Sequence, residues 1–348
     1  MPRSSFQTVA LVLTIFTILA GKVSATEVEI LYKGPPPSGD IYYTAVMASG
    51  EIDGTDGEEL IITDDYGSFK ILDWDTQTRT FHQKWLSDPI FQTNRVKRIF
   101  VPNTRPGYDV FIIFLDSSNN LIIYKWLDYI VVREPTIYSS RNPDITDYDD
   151  FVIGEFAPGY RGWEIALVMS RNLNFTGNPF NLGYLKIGNF KPKLQTILSR
   201  MVLNLGDNPG LNIVCGFDGS QGLVIMPKAE SGQKSCRILY TAPPFNEYME
   251  YFFACKKGEK IGWTGMIQNG GTSYVSTYVR EEKGNSLIKF YSVSQRLKYS
   301  FAISVPDNVS SWVMSDVDAD GTRELVILDF MGILHVYKLN SLLNAKGR

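Results

Sequence analysis

The sequence predicts an all-β fold, a single β-propeller of six four-stranded blades whose last blade is completed by the N-terminal strand. Three observations lead there. A unit made of a polar loop, an apolar run, a turn and a second run recurs through the chain. None of the recurring runs has helical periodicity. One strand is lacking at the C-terminal end, and one is left over at the N-terminal end.

The chain opens with a segment outside the predicted fold. Arg3 supplies a positive start, Val9 to Ala20 is an apolar stretch of 12 residues, and Val23-Ser24-Ala25 is a small-residue cleavage site. Residues 1–25 are therefore expected to be a secretory signal peptide, with a retained anchor as the alternative. The apolar stretch is short of the roughly 20 residues that span a bilayer. The mature chain, 26–348, is expected to be one secreted, soluble domain with no membrane span.

Removing 25 of the 348 residues leaves 323, and the loss of Arg3 and Lys22 takes the net charge from −3 to −5. Mild acidity speaks against a nucleic-acid partner, which would need clustered Lys and Arg. The sequons at Asn174 and Asn308 mark expected glycosylation sites and agree with secretion. Cys215, Cys236 and Cys255 allow one disulfide, its pair undetermined, and one leftover thiol. A chain this long can bury a full core without such staples.

The clearest unit is the last, SDVDADGTRELVILDFMGILHVYKL from Ser315. GEIDGTDGEELIITDDYGSFKILDW from Gly50 aligns with it without gaps, so that Glu51 meets Asp316, Asp53 meets Asp318, Glu59 meets Glu324 and Gly67 meets Gly332. Each reads as a loop followed by a β-hairpin. The anchors at positions 59, 109, 164, 212, 273 and 324 lie 50, 55, 48, 61 and 51 residues apart. The longest gap keeps seven blades as the runner-up, and a β-sandwich or two smaller β domains would share the strand spacing.

First strands are expected at YYTAVMAS, VKRIFVP, DDFVIGEF, SRMVLNL, IGWTGMI and SSWVMS, and fourth strands at TFHQKWL, YIVVRE, LQTILS, CRILYTA and KYSFAIS. The sixth unit has no fourth strand. VEILYKGPPP from Val28 is spare and resembles CRILYTAPPF from Cys236, so it is expected to complete the last blade. Closure of this kind removes exposed sheet edges.

The loop from Asp316 carries the one metal-like pattern. A hard cation such as calcium takes six to eight oxygens, and alternate carboxylates in a tight loop can converge on it. Asp316, Asp318 and Asp320 could each give an oxygen, Gly321 permits the turn, the Thr322 carbonyl could be a fourth ligand, and Glu324 closes the loop. The pattern resembles the calcium loops of integrin-α-like FG-GAP or VCBS propeller repeats, D-x-D-x-D-G-x-x-D before an apolar run, with Glu324 where Asp is usual. The resemblance implies a structural Ca2+, without chemistry. In the first unit Glu51, Asp53 and Thr55 take the ligand positions and Asp56 replaces the glycine, an incomplete version.

No catalytic constellation is visible. His82 and His335 lie in strands, and neither G-x-S-x-G nor H-E-x-x-H occurs. Asp64-Asp65, Asp144 and Asp149-Asp150 could form a carboxylate pair but read as turn acids. Trp74, Trp85, Trp126, Trp163, Trp263 and Trp312 do not recur at one place in the unit, so they read as filling between blades. The expectation is a monomeric binding module for an extracellular protein or surface partner. A lectin, or a calcium-assisted carbohydrate-active enzyme, is the alternative.

Overall fold

In the computed structural model, the described residues are 28–37, 45–90, 95–101, 110–117, 121–127, 130–133, 150–154, 163–168, 177–185, 194–203, 210–215, 221–226, 235–241, 249–254, 267–269, 272–280, 286–293 and 297–339. Residues 1–25, Asp144, Asp149, Asn174, Cys255 and Trp263 lie outside them.

β1 is Glu29–Gly34. The first sheet follows with β2 (Met47–Gly50), β3 (Glu59–Thr63), β4 (Phe69–Asp75) and β5 (Thr80–Leu86). The second holds β6 (Val96–Phe100), β7 (Val110–Asp116), β8 (Leu121–Leu127) and β9 (Ile130–Arg133). The third holds β10 (Asp150–Gly154), β11 (Trp163–Val168), β12 (Gly177–Leu185) and β13 (Leu194–Leu203). β14 (Gly210–Cys215), β15 (Gln221–Met226), β16 (Ser235–Thr241) and β17 (Met249–Ala254) form the fourth. β18 (Ile267–Asn269), β19 (Thr272–Arg280), β20 (Ser286–Val293) and β21 (Leu297–Val305) form the fifth. β22 (Val309–Ser315), β23 (Glu324–Asp329) and β24 (Leu334–Lys338) belong to the sixth, whose fourth strand is β1. All neighbouring strands are antiparallel, and the first five sheets are meanders. Among the described residues no helix is long and apolar enough to cross a membrane.

The N-terminal strand pairs where the sequence predicts, with Glu29 opposite Lys338 and Lys33 opposite His335. Two strand assignments are corrected. SRMVL does not open the fourth sheet; it continues LQTILS as one strand, because LQTILSRMVL holds neither Gly nor Pro to turn the chain. CRILYT is accordingly a third strand, and MEYFF is the fourth of its sheet. The likeness between the spare strand and CRILYT thus led to the right edge from a neighbouring strand position.

The second strands β3 and β23 are buried on both faces because a sheet lies on either side. In β3, Leu60 and Ile62 face a core shared with Val326, Leu328, Leu334 and Val336 of the sixth sheet. Ile61 points the other way, into a core with Ile112, Phe114 and Ile122 of the second sheet. In β23, Val326 and Leu328 face the first sheet, while Leu325 and Ile327 join Ile288, Phe290 and Ile303 of the fifth. Alternate side chains of one strand serve two neighbours because side-chain direction flips at each residue. The first strands also touch: β2 lies alongside β22 and β6. Met47 N–H donates to Ser311 Oγ at 3.1 Å, and Ser49 Oγ donates to the Met314 carbonyl at 3.0 Å.

Candidate metal centre

The acidic loops of the first and sixth units each end where a fully buried second strand begins, and each ends on a buried acid. Glu59 is 1% exposed and Glu324 0%. Burying a carboxylate with no partner is costly, so the surroundings of these two acids decide what the loops do.

In the loop of the sixth unit, Asp316, Asp318 and Glu324 each bring a carboxylate oxygen within 4.8 Å of the others. Two oxygens on opposite sides of a calcium ion, each about 2.4 Å away, would be separated by about that distance. Asp316 Oδ1, Asp318 Oδ1 and both oxygens of Glu324 are buried and accept no hydrogen bond among the described residues. The remaining oxygens are engaged. Asp316 Oδ2 accepts the Gly321 N–H at 3.0 Å, and Asp318 Oδ2 accepts from Lys338 Nζ at 2.7 Å. The sharp turn uses positive φ at Ala319 (58°) and Gly321 (80°), the second a conformation that glycine adopts freely.

Asp320 is turned aside from this cluster. Its Oδ2 lies 2.7 Å from Lys338 Nζ, and its Oδ1 accepts from the N–H (2.9 Å) and hydroxyl of Thr322. Asp320 and the N–H and hydroxyl of Thr322 thus brace the loop, while the Thr322 carbonyl, which is the ligand the sequence suggests, takes no part in these bonds.

Electrostatics set Asp316 and Glu324 apart from Asp320. Burial, reinforced by Asp318 and Asp320, pushes Glu324 up to about 8. Burial and the neighbouring acids also raise Asp316. Burial works against Asp320 as well, but Lys338 and Thr322 outweigh it and hold that carboxyl at about 2. Burial opposes the Lys338 charge, yet its bonds to Asp318 and Asp320 keep the ammonium above its ordinary range. The buried, unpartnered oxygens of Asp316, Asp318 and Glu324 fit a hard divalent cation.

The first loop brings Glu51, Asp53 and Glu59 together at the same spacing. Here Lys84 enters the cluster, in contact with Asp53 Oδ2 and 3.0 Å from Glu59 Oε1. Glu59 Oε2 accepts the Ile52 N–H at 2.9 Å. Burial still pushes Glu59 up to about 8; Asp53, despite burial, is held at about 2 by Lys84 and Thr55.

The two loops meet. Glu58 N–H donates to the Asp316 carbonyl at 2.8 Å, Glu58 Oε2 accepts from Ser49 Oγ at 3.2 Å, and Arg323 pairs with Glu58 Oε1. Sequence reasoning missed Lys84, Lys338 and Glu58, which belong to no motif. The one signal for the lysines was their being cations on otherwise apolar or alternating strand segments.

The other candidates are structural. His335 is buried, with Nε2 3.0 Å from Asp329 Oδ2; His82 is largely exposed, 3.5 Å from Asp73 Oδ2. Asp64 accepts the N–H groups of Tyr66 and Ser68 and so shapes a hairpin turn. Asp150 begins β10. Trp74 and Trp126 are buried in the cores between sheets, and Trp85 packs against one of them. Asn308 is exposed, and its carbonyl accepts the Phe330 N–H at 2.7 Å.

No protein-family profile matches the chain, and no curated protein matches it. Solved structures do. A fungal lectin from Aleuria aurantia, described as a six-bladed β-propeller with a novel mode of fucose recognition, is 10% identical, with 84% of this chain and 90% of that one covered and a TM-score of 0.50. SapL1 lectin, solved with α-methyl fucoside, is 8% identical over 83% of this chain and 90% of that one, TM-score 0.47. A chain of the mitotic checkpoint complex is 12% identical over 92% and 98%, TM-score 0.46. At such identity the first likeness speaks for the fold alone: the chain is all-β and of the propeller kind.

Proposed function

We propose that this chain is a secreted binding scaffold, a closed ring of six blades whose last loop holds a structural calcium ion and whose other loops present a surface to an extracellular partner. The observation that carries the ion is Glu324, fully buried with both oxygens bare beside Asp316 Oδ1 and Asp318 Oδ1. These three acids would hold the cation, in the manner of the integrin-α-like repeats that the loop resembles. Asp320, Thr322 and Lys338 would hold the loop in shape. The ion would neutralise the trio and stiffen the junction between the first and last sheets.

Support for ring closure comes from β1 on the last sheet and from the cores that join fifth to sixth, sixth to first and first to second sheets. For the partner, carbohydrate is the class to test first, because the Aleuria aurantia lectin, whose fold this chain is similar to, is described as recognising fucose. A protein partner is the second reading. It is supported by Tyr66 (59% exposed) and Met331 (76%), at matching hairpin tips of adjacent sheets, on the end opposite the acidic loops. A glycan array on the purified protein separates the two. Binding to defined sugars supports the first reading; a blank array together with a protein that crosslinks near Tyr66 and Met331 supports the second.

A further inference from the structure

The two acidic loops share a backbone plan but differ in where their lysine comes from. In the sixth unit Lys338 lies on the third strand and reaches Asp318 and Asp320; no ion pair joins it to Glu324 among the described residues. In the first unit the residue that aligns with Lys338 is Asp73, and the cation comes from the fourth strand instead. Lys84 contacts Asp53 Oδ2, lies 3.0 Å from Glu59 Oε1 and is 3.5 Å from Asp73 Oδ2. An ammonium is a compact charge with three donors, and here three carboxylates surround it.

A bulge sets this up. Between β4 and β5 the register runs from Ile71 opposite Trp85 to Leu72 opposite Gln83, so Lys84 is the extra residue. Such a residue leaves the ladder and its side chain is re-aimed. The last sheet has the same irregularity on β1, where Ile30 faces Tyr337 and Tyr32 faces Val336, leaving Leu31 as the extra residue. Leu31 packs against the core between the two sheets. The same device therefore delivers a cation to the buried acid of the first loop and a hydrocarbon to the last sheet.

Three further oxygens of the first loop agree with this. Glu51 Oε1 accepts the Gly54 N–H at 2.6 Å, Asp53 Oδ1 accepts the Thr55 N–H at 3.0 Å, and Glu59 Oε2 accepts from Ile52. Unlike Glu324, Glu59 has both its oxygens engaged.

We infer that Glu51, Asp53 and Glu59 form a second divalent-cation site whose cation is the protein's own Lys84 ammonium, so that this loop takes no metal until Lys84 is removed. Like charges at one centre exclude each other; the tethered ammonium, present at high effective concentration, keeps calcium out. The first loop then holds a permanent cation of its own and, on the proposed function, the last loop an exchangeable ion.

The test is calcium titration, followed by terbium luminescence, on the full mature chain. To silence the last loop, Asp316→Asn and Asp318→Asn form the background. With Lys84 intact this protein should bind no ion at the first loop; adding Lys84→Ala should create one site, and Asp53→Asn should abolish it again. The melting temperature of the Lys84→Ala protein should fall in chelator and recover with calcium. Lys84→Ala/Glu59→Gln should fold without calcium and bind none. The inference is overturned if Lys84→Ala gains no site or gets no rescue from calcium, or if the Lys84-intact background already binds an ion through Asp53. A wild-type chain that binds no ion would instead count against calcium at Asp316, and the Lys84→Ala arm would still decide this inference.

Discussion

The backbone N–H of Glu58 donates to the carbonyl of Asp316 at 2.8 Å, joining the loop that precedes β3 to the loop that precedes β23. These residues are 258 positions apart in the chain. Side chains strengthen the junction: Arg323 pairs with Glu58 Oε1, and Glu58 Oε2 accepts from Ser49. The two buried acids, Glu59 and Glu324, begin the strands directly behind this contact.

The junction depends on Glu58 more than on Arg323. Arg323 is partly exposed, and an exposed pair is worth about 0–1 kcal/mol, so Arg323→Ala should change denaturant stability by no more than that. Glu58→Ala leaves the Asp316 N–H and the Arg323 guanidinium without their Glu58 acceptor, while Ser49 keeps the Met314 carbonyl, and should cost about 1–3 kcal/mol. Urea titration of both variants checks the order; equal losses would contradict it.

Tyr32 ties the N-terminal strand to a different sheet from the one it extends. Its ring meets Trp74 at 5.8 Å and Phe81 at 5.4 Å, both edge-on. Tyr32→Ala should cost about 1–3 kcal/mol. A double-mutant cycle with Phe81→Leu should show coupling, because the residues share a contact. Additive losses would mean that the contact carries nothing.

Calcium should raise the melting temperature of the wild-type chain relative to chelator. At a hundredfold excess over the dissociation constant, linkage gives about 2.7 kcal/mol. Glu324→Gln and Asp318→Asn should each abolish the increment, which scanning calorimetry in calcium and in chelator measures. An unchanged increment in Glu324→Gln would remove that residue from the site.

Stability without metal should depend on pH through the buried acids. Burial, with Asp318 and Asp320 adding to it, lifts Glu324 from 4.5 to about 8. Between those values the folded chain holds a proton that the unfolded chain has released, so stability falls as pH rises from about 5 to about 8. Asp53 and Asp320, held at about 2, add stability that is lost only in stronger acid. Melting temperatures in chelator should therefore decline across that window, the decline being smaller in Glu324→Gln and smaller in calcium. A flat wild-type profile would contradict this.

The sequence made the repeat legible because apolar runs on β3 and β23 must serve two neighbouring sheets, and polar loops mark where each begins. The same logic failed near Ser199, where the repeat pattern suggests a break but no residue turns the chain. It also grouped five loop residues as equal ligands. Spacing alone does not show which carboxylate turns inward; buried, unpaired oxygens mark Asp316, Asp318 and Glu324, whereas Asp320 is taken up by Lys338 and Thr322. Lys84 was invisible for a related reason. Its role arises from a bulge in pairing with β4, and a bulge leaves no composition mark.

Residue-resolved hydrogen exchange over Glu29–Gly34 tests the closure most directly. If the N-terminal strand fastens the last sheet, its paired amides should be protected as strongly as those of β24, and removing residues 28–34 should expose the free edge of Leu334–Lys338. Exchange of Glu29–Gly34 at the rate of an unfolded chain, in a protein whose other sheets are protected, would contradict the ring and the junction built on it.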